Sequence, residues 1–369
     1  MNIIVIKERL GEGLDAAIRA SGDHPTLPIL KNVLIEAKDN KITLTATNLE
    51  IGMRYDLAGK VNKEGSITAP AGLLGQIISN LSDERVELSV DGASLNITTD
   101  SYKANLQGTP SDEFPILPTI ENVAEYIELD SILFKESMDA ALSAAQFSEL
   151  RPELSSVYFQ FFGDRIVLVA TDSFRLAEKT LVNKDFEAST SVEFKVLLPL
   201  RTAQELARIL KAKGPIKIYR DQSQMLFRTE RIDLISRLLE GTFPDYRAVI
   251  PKEYQAEVLA DRDDFLDAVK LAGIMSGASS EVTLRPGAGE SLEISSRDEK
   301  LGENSYQLPA KTKGTFKEVS FNWKYLLEGA KTMPPKEFVL GLNNDNKPAI
   351  LKSRQDASYF YILMPILKG

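Results

Sequence analysis

The chain has no cysteine and only one histidine among its 369 residues. The first absence excludes disulfides, thiolate metal sites and cysteine nucleophiles. The second makes any Ser-His-Asp triad depend on His24, in a Gly-Asp-His-Pro loop, and rules out a metal site built on two histidines. No apolar run approaches the roughly 20 residues that cross a bilayer. The opening MNIIVIKERL lacks a basic region followed by an apolar core and a small-residue cleavage site, so it reads as a strand entering a helix. A cytoplasmic protein without membrane contact is expected. Phosphate-cradling loops are missing too. Gly59-Lys60 lacks the preceding glycine of a P-loop, and Gly11-Glu12-Gly13 falls inside a helical pattern rather than after a strand. With 53 acidic residues some carboxylate pair is inevitable, so such a pair carries no information. Catalysis is therefore disfavoured, and no cofactor or metal is implied. The net charge of −9 is awkward for a nucleic-acid partner, although an acidic exterior can coexist with a locally basic lining.

What the chain does have is an internal repeat, which decides architecture before single residues do. VLIEAKDNKITLTATN (Val33 to Asn48) recurs without a gap as VYFQFFGDRIVLVATD (Val157 to Asp172). Each is an apolar strand, a polar turn and a second strand ending in Ala-Thr-Asn/Asp. A weaker third copy runs from Val282 to Asp298, with Pro286-Gly287 at the turn. The preceding helix repeats in register as Leu14-Asp15-Ala16-Ala17, Met138-Asp139-Ala140-Ala141 and Leu266-Asp267-Ala268-Val269.

Leu10, Leu14, Ala17 and Ile18 form one apolar helix face, as do Phe134, Met138, Ala141, Leu142 and Ala145. The third copy keeps Leu266 and Val269 but has Lys270 in that stripe, so its helix is shifted or looser. A second helix opens after Ala69-Pro70, Leu198-Pro199 and Phe321-Asn322, with proline near the first turn in two copies and Asn322 as N-cap in the third. Short alternating strands lie between, and each copy closes on an apolar–proline element: Phe114-Pro115, Phe243-Pro244 and Met364-Pro365. Three α+β domains in series follow, at residues 1–123, 124–252 and 253–369.

Two features suggest partners. Arg201, Arg208 and Lys211 lie on roughly one side of the middle copy's second helix, and Lys324 and Lys331 on its counterpart. A solvated face of mixed charge is the plain alternative, since Glu205 and Glu328 share it. The C-terminal YFYILMPIL, Tyr359 to Leu367, is apolar at nearly every position. It is either a buried last strand or surplus apolar surface forming a partner groove.

Together these pieces resemble the bacterial DNA polymerase III beta sliding-clamp family. The resemblance spans the chain and rests on HPTLPILKNVLIEA at 24–37, SDEFPILP at 111–118, ATDSFRLA at 170–177, LEGTFPDYRAVIP at 239–251 and YILMPI at 361–366. It implies three tandem DNA-clamp domains, each of two helices and antiparallel sheets, and a head-to-tail homodimer forming a ring of six similar domains around double-stranded DNA. It also implies a partner groove that takes short apolar peptides from the replicative polymerase and the clamp loader. Matching positions are Leu154, Thr171, Ser173, Phe174, Arg175, Leu176, Pro244 and Val249, with Ile362, Leu363, Met364, Pro365 and Ile366. Arg175 and Thr171 are expected to fix the peptide backbone. DNA-lining positions are His24, Arg201, Arg208, Lys211, Lys324 and Lys331, and the subunit contact is expected around Leu106, Ile274 and Met275. The chain departs from the family's basic or polar pattern at His24, Gly72, Leu73, Glu149, Pro152 and Glu153, which bears on DNA contacts rather than on the ring. The expected function is a non-catalytic, nucleoid-associated processivity clamp. The alternatives are a repeat scaffold that binds peptides without encircling DNA and, remotely, a hydrolase with an unrecognised carboxylate site.

Overall fold

The repeat's first hairpin shows how local chemistry sets the architecture. Asp39 and Asn40, both with positive φ (50° and 57°), close a two-residue turn between the strands Asn32–Lys38 and Lys41–Thr47. Two left-handed central residues match the twist of the flanking strands, which is why Asp-Asn is suited there. The computed structural model describes residues 1–334, 336–343 and 347–367.

The chain condenses into two compact units that do not coincide with the three copies. The first contains residues 1–133, 186–190 and 208–238; the second contains 134–185, 191–207 and 239–369. The middle copy is thus divided between them. Sheet pairing explains the division, because each of that copy's two sheets is hydrogen-bonded to a different neighbouring copy.

In the first unit a five-stranded antiparallel sheet runs in the order Gly59–Lys63, Asn2–Ile6, Arg85–Asp91, Ser94–Thr98, Lys103–Gln107. A nine-stranded sheet joins copy two to copy one where Ile232–Arg237 pairs with Ile51–Leu57, Ile232 opposite Tyr55 and Ser236 opposite Ile51. Helix α1 (Lys7–Ala20) buries Leu10, Leu14 and Ala17 as expected. Gly13 lets it approach the sheet, since a Cβ there would lie 2.7 Å from Leu44 Cδ1 and 2.9 Å from Tyr55 Cδ1. Ile18, expected on the buried face, is 38% exposed. It lies over Gly75 of α2 (Ala71–Asn80) instead of entering the sheet core.

In the middle copy, α3 (Ser131–Leu142) buries Phe134, Met138 and Ala141, while Leu142 and Ala145 are half-buried; α4 (Leu200–Ile209) follows Pro199, the last residue of the preceding strand. The second unit holds a twelve-stranded sheet. Its copy-two strands, ending in Arg175–Val182, pair with the copy-three strand Tyr359–Leu363, Arg175 opposite Leu363 and Lys179 opposite Tyr359. The sheet continues to Gly302–Gly314, a long strand shared by both sheet halves of copy three. Helix α5 (Arg262–Gly273) is rotated relative to the expected stripe. Phe265, Ala268, Val269 and Ala272 face the core, Leu266 is half-buried and Lys270 is exposed. Phe265 meets Phe338 edge to face at 5.0 Å, which selects that rotation. Asn322 caps α6 (Trp323–Lys331) as expected, its side chain accepting from Lys324 N at 3.0 Å.

The C-terminal run is a correction in part. Tyr359, Tyr361 and Leu363 enter one core, and Phe360 and Ile362 pack on the other side of the strand. The run is apolar because the strand is central and covered on both faces, not because surface is left over. Only Met364, Pro365 and Ile366 are half-buried beyond it, and Leu367 is 64% exposed.

Gly329 shows how tightly α6 sits on that strand. A Cβ there would lie 2.6 Å from Tyr361 Cε1 and 2.8 Å from its Cγ, and the ring is fully buried. Gly329→Ala gains roughly 1 kcal/mol in helix propensity, but overpacking at such a site costs about 1–3 kcal/mol. A net loss of stability is expected in urea unfolding; a gain would show that α6 can lift from Tyr361 without cost.

Candidate functional site

The turn after each repeated hairpin is built by one short-range device. In the middle copy Asp172 Oδ1 accepts from Phe174 N (2.9 Å) and Arg175 N (3.0 Å), while Thr171 Oγ1 accepts from Ser173 N (3.1 Å) and donates to Arg175 O (2.6 Å). Ser173 takes a positive φ of 79°. Asn48 and Thr47 do the same for residues 49–51, and Asp298 caps Lys300 and Leu301. An Asx side chain bonded to amides two and three residues on replaces the missing ladder bonds.

In copy two this turn borders an apolar cluster within the second unit. Leu154, Leu176 and Ile362 share the cluster with Leu197, Phe243, Tyr246 and Ile350. The three expected groove residues are nearly inaccessible, at 3%, 3% and 2% exposure, and form its floor. The surface is presented by Phe174 (62% exposed), Val249 (46%), Pro244 and the half-buried Met364, Pro365 and Ile366. Met364 N donates to Phe174 O at 2.8 Å, which ties the C-terminal segment to the turn. Leu363 points into the opposite core.

The two side chains expected to fix a peptide backbone are both engaged within the protein. Thr171's hydroxyl is committed to the turn. Arg175 is held by Asp172 Oδ2 at 2.9 Å and by Glu328, and its guanidinium stacks 4.2 Å above Tyr325. With side-chain exposure of 7% and 6%, Arg175 and Asp172 form a buried pair beside the groove. Ser173 is touched by Arg151, whose Nη1 donates to its Oγ at 3.3 Å.

Sequence reasoning took Phe243 and Tyr246 only as a closing element. Phe243 stacks on Tyr158 at 4.7 Å, and Tyr246 sits edge-on to it at 6.1 Å. Burial pushes the Tyr246 hydroxyl up to about 12, and burial likewise raises the carboxyl of its neighbour Glu178. The aromatic spacing in FPDY was the available signal. The matching pocket in copy one and its neighbour has a volume of about 70 Å³ and lies between Leu49, Gly52, Leu117 and Ile235. Gly52 stands where copy two has Leu176, and Leu117 fills the vacated space, 2.8 Å from where a Cβ would be.

The expected DNA-lining cations Arg201, Arg208, Lys211, Lys324 and Lys331 are all exposed, as is His24, whose Nδ1 lies 2.9 Å from Thr26 Oγ1. Glu205, expected to share their face, is buried, and Glu328 is engaged with Arg175, so the face is more basic than its sequence. Of the departing positions, Gly72, Leu73, Glu149, Pro152 and Glu153, Leu73 is 48% exposed and Gly72 has open space around it.

Leu106 is only 8% exposed and pairs with Leu95 inside its own sheet, so it is not an apolar contact point. Ile274 is 70% exposed, and Met275 lies against the long strand, its Cε 3.3 Å from a Cβ placed on Gly302. Leu271 (51%) and Leu301 (55%) add to that apolar edge and were not anticipated. Among the described residues, Lys103–Gln107 and Gly302–Pro309 each have a paired strand on one side only.

Removing one member of a buried ion pair typically costs about 3–5 kcal/mol. Asp172→Ala is expected near the lower end of that range, because Glu328 still holds Arg175. Asp172→Asn, which keeps the amide acceptor, should cost less. Chemical denaturation checks the order, and equal losses would assign the effect to the ion pair with Arg175 alone.

Residues 1–118 match the N-terminal domain of the DNA polymerase III beta subunit, 128–245 its central domain and 247–367 its C-terminal domain. The beta sliding clamp of Synechocystis sp. is 30% identical over 99% of this chain and 99% of its own. That of Bacillus subtilis is 27% identical, again with 99% of each chain covered. The crystal structure of the Bacillus subtilis DNA polymerase sliding clamp matches with a TM-score of 0.92 at 26% identity, and that of a Bartonella birtlesii sliding clamp bound to griselimycin with 0.91 at 29%, each covering 100% of both chains. With all three tandem domains matched in order along its length, the chain belongs to the DNA polymerase III beta subunit family, the beta sliding clamps.

Proposed function

We propose that the chain is one half of a ring that closes around duplex DNA and tethers a replicative polymerase and other partners, without catalysis of its own, in the cytoplasm. One observation carries this reading. Both internal junctions between copies are sealed by the same antiparallel pairing, Ile232–Ser236 on Ile51–Tyr55 and Tyr359–Leu363 on Arg175–Lys179. Among the described residues, the first copy's equivalent of the former strand, Lys103–Gln107, and the third copy's equivalent of the latter, from Leu301 onward, each lack that neighbour. A single chain therefore carries two complementary open edges, and a second copy arranged head to tail satisfies both. An unpaired edge is a template for another strand, and a heterologous contact that closes gives a ring.

The turns at Asn48, Asp172 and Asp298 set the register. Carried over, the internal pairings place Lys103 opposite Ser305, Ala104 opposite Asn304, and Asn105 opposite Glu303. Leu271, Ile274 and Leu301 then lie at the contact together with Tyr102. In a closed ring the exposed cations His24, Arg201, Arg208, Lys211, Lys324 and Lys331 need only weak, sequence-independent phosphate attraction, because topology does the holding.

The groove of copy two fits a short apolar peptide. Phe174, Met364, Pro365, Pro244 and Val249 form its walls over a floor of Leu154, Leu176 and Ile362. Methionine adapts to several ligands. Two or three anchors at about 1.5–3 kcal/mol each, less ordering costs, correspond to roughly micromolar affinity.

Because the chain has no cysteine, a disulfide can report the ring cleanly. Ala104→Cys with Asn304→Cys, and Asn105→Cys with Glu303→Cys, cover both alternating pair types of an antiparallel ladder. Oxidised in the presence of nicked circular DNA, at least one pair should give a covalent dimer that stays on the circle in detergent and leaves after linearisation. Equal retention on both DNA forms, or none on either, favours the peptide scaffold that does not encircle DNA. For the groove, Phe174→Ala with Met364→Ala should weaken an acetylated Leu/Phe pentapeptide at least tenfold by titration calorimetry while leaving the cross-linked dimer intact. Unchanged affinity would place the peptide elsewhere.

A further inference from the structure

Without cysteine, the chain's only oxidisable sulfurs are its seven methionines, all of them among the described residues. Met1, Met53, Met138, Met225 and Met333 are buried, none above 7% exposure. The two half-buried ones are Met275, beside the open edge of the third copy, and Met364, in the wall of the copy-two groove. The partly accessible thioethers therefore lie at the two surfaces where partners are expected.

Met364 is held in place by its backbone. Its N–H donates to Phe174 O (2.8 Å), and two residues later Ile366 N donates to Ser320 O (2.8 Å). Pro365 between them has a fixed φ and no N–H of its own. The side chain can change rotamer, but the pinned segment does not withdraw it from the wall. The groove it lines is otherwise hydrocarbon, with Phe174, Pro244 and Val249 beside it and Leu154, Leu176 and Ile362 beneath. A thioether suits that surface because it is flexible, polarizable and apolar. A sulfoxide at the same atom is polar and chiral, and its oxygen needs a hydrogen-bond donor.

We infer that Met364 is a reversible oxidation site through which peroxides weaken peptide binding. This rests on the groove reading above and adds a regulation to it. The step is an oxygen-atom transfer from hydrogen peroxide. The O–O bond breaks, an S–O bond forms, and sulfur gives up two electrons. The departing hydroxide takes the proton of the transferred hydroxyl and leaves as water. Methionine sulfoxide reductases, one for each sulfoxide epimer, return the thioether; a dithiol is oxidised to a disulfide and water is released. Affinity falls because the new oxygen is desolvated against an apolar anchor, not because contact area is lost. Leucine at this position fills a similar volume without the sensitivity.

The full-length protein is treated with hydrogen peroxide, quenched with catalase and divided between peptide mass spectrometry and titration calorimetry with the acetylated Leu/Phe pentapeptide. Met364 is expected to gain one oxygen about ten times faster, or more, than the core residues Met53, Met138 and Met225, since exposure controls the rate. Complete oxidation should weaken the peptide about tenfold, the effect of one uncompensated polar group in an apolar contact, with the melting temperature unchanged. The two reductases together, supplied with dithiothreitol, should restore binding. Met364→Leu, compared with itself before and after peroxide, should show no change in affinity, whereas Met275→Leu should lose affinity as the unaltered chain does. Oxidation of Met364 no faster than that of the core methionines, or full oxidation without loss of affinity, overturns the inference. So does an equal loss in Met364→Leu, which would trace the effect to another atom. If the untreated protein does not bind the pentapeptide, the groove reading itself fails, and that failure is seen before any peroxide is added.

Discussion

The interaction on which the rest depends is the antiparallel pairing of one copy's strand with its neighbour's, made once at Ile232–Ser236 with Ile51–Tyr55 and again at Tyr359–Leu363 with Arg175–Lys179. It converts three repeated sequence blocks into continuous sheets and divides the middle copy between two compact units. It also fixes what is left over at the two ends of the series. Backbone ladders are not selective in side chain, so the same device can serve inside the chain and between chains.

Selectivity comes from what is built beside each ladder. The Asx turn is common to all three copies, but only in copy two does it carry a buried arginine clamped between Asp172, Glu328 and the Tyr325 ring. That clamp positions Phe174 outward and connects it to Met364. In copy one the corresponding position is Gly52, and Leu117 fills the space a ligand would need. Equivalent backbones therefore present different surfaces, one with apolar side chains exposed over a solid floor and one largely closed by its own chain.

Charge follows a similar logic. A whole-chain excess of acid says little about the surface of α1, where Glu12 is paired with Arg9 and Arg231. Nor does it describe the outer face of α4, where Glu205 turns inward and leaves Arg201 and Arg208 exposed. In both places an acidic residue adjacent in sequence is removed from the surface field by burial or by pairing, and the local sign differs from the global one.

Much of the fold was legible because it depends on short-range rules. The hairpin repeat of Val33 to Asn48 and Val157 to Asp172, the Asp39-Asn40 turn and the Asn322 cap need only neighbours a few residues away. Burial was harder to read. Period-two alternation disappears when both faces of a strand are covered, so Tyr359 to Leu363 resembled surplus surface until its neighbours on each side were known. Leu106 and Ile18 were misjudged for the same reason, since an apolar side chain does not state which surface it meets. The sequence by itself determined the threefold series, its turns and caps, and the family to which its motifs point. Only the tertiary structure decided which cations are exposed, which groove residues form floor or wall, and which strand edges stay open. Those outcomes depend on contacts such as Arg175 with Glu328, 153 positions apart, that no local pattern encodes.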